Sequence, residues 1–142
     1  KIIHQSKLLN YFIKDIKKEI IEKDLNDLLK KIKKNKKYYI STKDIILIES
    51  LKSDGVEVLK KYEDLYEIDN SNMPNDIQLL IDNGETGLAL LRLVEIIGQD
   101  EIENIGPETL YFIISTLNQL DIDPLRNKIL LKVLPLKVKK YN

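Results

Sequence analysis

The chain has 142 residues, enough for one domain, and is 43% hydrophobic and 32% charged, which describes a folded domain rather than a disordered one. It holds no Cys, no Trp, one His, and 23 basic against 23 acidic side chains, which excludes a disulfide scaffold, thiol catalysis and a thiolate zinc site. No apolar run reaches the ~18 to 20 residues that span a bilayer.

The apolar spacing is helical throughout, with no period-two alternation. Leu9, Ile13, Ile16 and Ile20 line one face, opposite Lys14, Lys17, Lys18 and Glu19. Leu25, Leu28, Leu29 and Ile32 continue the stripe. Lys30 to Lys37 carries six Lys in eight positions, where the helix is expected to fray, and residues 33–41 read as a linker. Ser41 and Thr42 then offer N-caps, with Asp44 three residues after Ser41 as an approximate capping box. Ile45, Ile48 and Leu51 form the next stripe, and Gly55 is its expected C′ stop. Val58, Leu59, Tyr62, Leu65 and Tyr66 predict another helix, followed by a loop over Asp69 to Pro74. A short helix through Ile77, Leu80 and Ile81 ends at Asn83-Gly84.

From Leu88 to Ile97 only Arg92 and Glu95 are polar, so this helix is read as the enclosed core, ended by Gly98. Leu91→Asp is therefore expected to unfold or strongly destabilise the domain. Pro107 opens a helix through Leu110, Ile113, Ile114, Leu117 and Leu120. Asp123-Pro124 reads as a cap and proline start for the stripe Leu125, Ile129, Leu130, Val133 and Leu134. Pro135 is expected to break it, and Lys137 to Tyr141 to fray.

These segments predict an all-α fold of seven or eight helices in stacked antiparallel hairpins, α-solenoid-like or an irregular bundle. The expected division is a Lys-rich helical arm and linker over 1–37 and a helical-hairpin domain over 38–142. Cleavage between Lys30 and Lys37 should then leave a helical carboxy-terminal body. Residues 79–94 resemble 117–134 at an offset of about 38 to 40 residues, inside the range of helical repeats.

Residues 40–135 also resemble a known group of proteins. The stretches that carry the likeness are Asp82-Asn-Gly-Glu-Thr-Gly-Leu-Ala-Leu-Leu and Leu120-Asp-Ile-Asp-Pro-Leu-Arg-Asn-Lys-Ile-Leu-Leu. They resemble the carboxy-terminal helical region of large uncharacterised alphaproteobacterial proteins, in which a Gly-Glu turn opens an apolar helix. The resemblance implies a bacterial, α-solenoid-like region and carries no catalytic residues. This sequence departs from that group in having a single Ala, Ala89. The first residue, Lys1 rather than Met, likewise suggests a fragment or processed product of a larger protein.

Charge is laid out in blocks: net +8 over residues 1–43, −14 over 44–123 and +6 over 124–142. Lys outnumbers Arg 21 to 2, with 22 Ile, 11 Asn and one Ala, the residues of AT-rich codons. A Lys run therefore carries less weight as a nucleic-acid signal. Even so, Lys30, Lys31, Lys33, Lys34, Lys36 and Lys37 with Tyr38 and Tyr39 could neutralise phosphates and stack on unpaired bases. Against this stands the scarcity of Arg, the residue best suited to bidentate base contacts.

Catalytic and metal constellations are missing from the spacing. His4 has no identifiable partner, and Asp100-Glu101-x-Glu103 and Asp121-x-Asp123 lack the calcium-loop Gly and terminal Glu. Gly84-x-x-Gly87 is a turn, since a dinucleotide loop needs a preceding strand. No catalytic, cofactor-binding or metal residue is assigned. The sequence is read as a non-enzymatic α-helical protein–protein interaction module, without cofactor, taking a protein partner or itself. The alternative is a nucleic-acid-associated protein using the Lys-rich segment.

Overall fold

A computed structural model describes residues 7–35, 37–67, 74–98 and 101–134. The chain is all-α, with six α-helices and three short 3-10 helices, and no strand, among the described residues. Its contacts divide it into two compact units, one of Lys1–Ile68 with Leu134–Asn142, the other of Asp69–Val133.

The first unit holds a 3-10 helix at Lys7–Phe12, α1 at Lys18–Lys34, α2 at Thr42–Ser53 and a 3-10 helix at Lys60–Leu65. α1 buries Ile21, Leu25, Leu29 and Ile32. Extended backwards at the same spacing, that stripe would reach Lys18, Lys17 and Lys14. An uninterrupted helix would therefore bury ammonium groups, and the chain breaks over 13–17 instead. Ile13 and Ile20, expected on the buried face, are consequently exposed. At its other end α1 stays helical to Lys34, past the expected start of the linker at 33.

Among the described helices α2 buries the most side chains. Asp44, Ile45, Ile46, Leu47, Ile48, Ser50 and Leu51 are all buried. Its start is the capping box: Asp44 N donates to Ser41 Oγ at 3.2 Å and Ser41 N to Asp44 Oδ2 at 2.8 Å. It closes on Gly55, φ 98°, in a Schellman turn in which Gly55 N donates to Lys52 O and Val56 N to Leu51 O. Beyond it the expected helix over 58–66 shrinks to the single 3-10 segment that buries Tyr62. Asn26 ties this segment to α1, donating to Glu57 O at 3.1 Å and accepting from Leu59 N at 3.0 Å. With α1 packed in this way, the division of contacts falls between residues 68 and 69 and not at 37.

The second unit is built from α3 at Asn75–Asp82, α4 at Thr86–Ile97, a 3-10 turn at Ile102–Asn104, α5 at Pro107–Gln119 and α6 at Asp123–Val133. α3 packs on α4 and α5, and α6 packs on α5 and the 3-10 turn. Ile77, Leu93, Ile113 and Leu117 form the buried centre, with Ile81, Leu90, Ile96 and Ile129 among the partly buried side chains around it. Arg126 is wholly buried, donating to Asn118 Oδ1 at 3.1 Å and from two of its nitrogens to Asn127 Oδ1. Pro107 opens α5 as expected, while Asp123 is the first residue of α6 instead of its cap. Pro135 and the Lys137–Tyr141 segment lie outside the described residues.

Candidate functional site

The reading of Leu88–Ile97 as an enclosed helix is overturned. α4 buries only Ala89 and Leu93. Leu88 is 50%, Leu91 62% and Val94 63% exposed, and Leu79 on α3 is 60% exposed. At 100° per residue the core side of α4 centres between Ala89 and Leu93, which places Leu91 almost diametrically opposite. Leu88 and Val94 lie to either side of Leu91. Gly87 shares this face, and a Cβ placed there would meet nothing within 4 Å. The physical reason is geometric. The unit supplies neighbours for one side of α4, so an all-round apolar sequence buries one face and leaves the other bare.

The hairpin that presents this face is set by local chemistry. α3 ends in a Schellman turn at Gly84, φ 74°, where Gly84 N donates to Ile81 O and Glu85 N to Leu80 O. Arg92 on α4 reaches back to α3, donating to Asp76 Oδ2 at 2.5 Å. That bond holds the Asp76 carboxyl below its ordinary range and raises the guanidinium. Arg92 is the one basic residue over 75–98, against Asp76, Asp82, Glu85 and Glu95, so the hairpin carries net −3. Glu85 stands at the start of α4, and Glu95 one turn beyond Leu91 on its exposed face. Glu95 also lies 3.9 Å from Arg92, and Asp82 accepts from Gln78 at 2.9 Å.

A polar cluster in the first unit joins Glu49, Lys52 and Tyr66. Lys52 Nζ lies 3.9 Å from Glu49 Oε1 and 5.1 Å from the Tyr66 ring centre. Burial pushes both the Glu49 carboxyl and the Tyr66 hydroxyl upward, with Lys52 opposing. Tyr66 Oη is buried without a hydrogen-bond partner among the described residues.

The Lys-rich segment is only partly assembled. Lys30, Lys31, Lys33 and Lys34 are exposed on the last turns of α1, Lys37 follows, and Lys36 lies outside the described residues. Lys33 is engaged within the chain, donating to Lys61 O at 2.7 Å and lying 5.8 Å from the Tyr62 ring centre. Tyr39 is 74% exposed and Tyr38 is exposed beside it. His4 lies outside the described residues, and among those described no group of three His, Cys, Asp or Glu is placed to hold a metal. No described helix is long and apolar enough to cross a membrane.

The exposed face of α4 went unread in the sequence. No family model, no curated protein and no solved structure matches this chain.

Proposed function

We propose that the protein is a non-enzymatic α-helical protein–protein interaction module, part of a larger protein, whose α3–α4 hairpin is the docking element. The observation that carries this reading is Leu88, Leu91 and Val94, each at least half exposed on one face of α4. Large apolar side chains grouped on one surface mark interaction sites far more often than singly scattered ones. The repeat-like character of the module rests on the likeness of residues 79–94 to 117–134, which fall on the consecutive hairpins α3–α4 and α5–α6.

Selection of a displayed random-peptide library on the folded protein tests the reading. Binders lost on Leu91→Lys, in a variant that melts like the parent, support it. A selection that yields none, or only binders indifferent to Leu91→Lys and Val94→Lys, overturns it.

A second reading rests on exposed Tyr38 and Tyr39 beside the basic end of α1, a surface on which single-stranded nucleic acid could stack. With Lys33 engaged on Lys61 and few Arg, only weak, salt-sensitive association is expected. A fluorescence-anisotropy titration with single-stranded RNA checks it. Sub-micromolar binding at physiological salt, abolished by changing Lys33, Lys34, Lys36 and Lys37 to Gln, would favour this reading over the interaction module.

A further inference from the structure

The α4 face has a shape and a charge, and together they specify what would cover it. Leu88 to Val94 is seven residues, six rises or about 9 Å of helix axis, with Gly87 leaving the backbone approachable at one end. A rod of that length with apolar groups at helical spacing is matched by two or three turns of another amphipathic helix. Glu85 before the stripe and Glu95 just after it put a carboxylate near each end, and Asp82 adds a third charge at the turn. The one cation of the hairpin, Arg92, is already held by Asp76. The surroundings are anionic well beyond the hairpin, since residues 69–133 carry 11 acidic against 4 basic side chains.

Resting on the interaction-module reading, we propose that this face docks a cationic amphipathic helix of a partner protein. Its apolar stripe would lie over Leu88, Leu91 and Val94, and its Lys or Arg side chains would meet Asp82, Glu85 and Glu95. Complementary charge sets orientation and speeds encounter, while the apolar contact supplies most of the affinity. A second copy through the same face fits less well, because a two-fold contact sets Glu85 and Glu95 against their own kind. Three half-exposed side chains also fall well short of the ~800 Å² that each partner buries in a standard stable interface. An anionic lipid surface meets the same carboxylates and is repelled. A stripe this small fits a transient complex.

The test uses the whole chain and a fluorescein-labelled 16-residue Leu/Lys peptide with Leu at helical spacing. Two controls accompany it: a Leu/Glu peptide of the same pattern, and a Leu/Lys peptide scrambled to have no apolar face. The patterned Leu/Lys peptide should bind, weakening about tenfold or more on combined Leu91→Ser and Val94→Ser. Combined Asp82→Asn, Glu85→Gln and Glu95→Gln should weaken it severalfold and flatten its salt dependence. On the unmodified protein, its amide shifts should centre on residues 85–97, which locates the site without any variant. Equal binding of the Leu/Glu peptide overturns the charge assignment and leaves the module reading intact. Equal binding of the scrambled peptide, or shifts elsewhere in the chain, overturns the docking mode. Self-association in sedimentation equilibrium that Leu91→Ser abolishes would give the face to a second copy. Cosedimentation with phosphatidylserine vesicles abolished by the same change would give it to a lipid surface, and either result overturns the proposal. If no peptide binds and library selection also yields nothing, both readings fall.

Discussion

Asp121 takes a left-handed backbone conformation, φ 57°, alone among the described non-glycine residues. It closes α5 with the pair of bonds that glycine closes at the ends of α2 and α3: Asp121 N to Asn118 O and Ile122 N to Leu117 O. An L side chain there costs about 1 kcal/mol, partly offset by the freedom a glycine would gain in the unfolded chain. Asp121→Gly should therefore raise the melting temperature by a few degrees, and Asp121→Val lower it, in circular dichroism melts. Glu49 carries a different kind of cost. Its half-buried carboxyl is shifted upward by desolvation, so the folded state binds the proton more tightly than the unfolded chain does. Stability from this group is complete below the ordinary Glu range and declines as pH rises through the shifted value. Glu49→Gln should accordingly raise the urea midpoint at pH 7 relative to the parent, with the difference narrowing toward pH 4.

Two apolar helices, α2 and α4, read almost alike in sequence and differ completely in burial. Leu47 in α2 is wholly buried, whereas Leu91 in α4 is 62% exposed. Leu47→Ala should cost about 2 to 5 kcal/mol, as a core leucine does. Leu91→Asp, which the sequence alone marks as unfolding, should change stability by less than about 1 kcal/mol, as exposed sites do. Paired chemical melts of the two variants check the contrast. What could be read in advance was local. The Ser41–Asp44 capping box, the Gly55 and Gly84 stops and the Pro107 start each depend on residues within a turn of one another. Burial of α4 depends instead on how many helices surround it, which no spacing within α4 records. The break before α1 became visible only once Ile21, and not Ile20, was known to begin the buried stripe, because that phase brings Lys14 and Lys17 inward. The exposed face of α4 was legible as residues and hidden as a surface.

Neutral overall charge conceals two units of opposite sign: the 65 residues of Asp69–Val133 carry net −7, so the remainder carries +7. The negative charge of the second unit is thus spread along its sequence and is not confined to one helix. The first unit is discontinuous, since Leu134, 1% exposed, groups with residues before 69. Leu134→Ala should cost about 2 to 5 kcal/mol and fall on that unit. Hydrogen exchange should then quicken across α1 and α2 while α3 to α5 keep their protection. The same connectivity imposes an order on biosynthesis. At about 5 to 20 residues per second, Leu134 is added roughly 3 to 13 s after residue 68. Throughout that interval the residues of the first unit have been translated without a buried side chain that groups with them. The intervening segment carries no such debt to later residues, so it is free to fold first, and a nascent chain stalled anywhere between residues 68 and 134 would present its earlier half incomplete to chaperones and proteases.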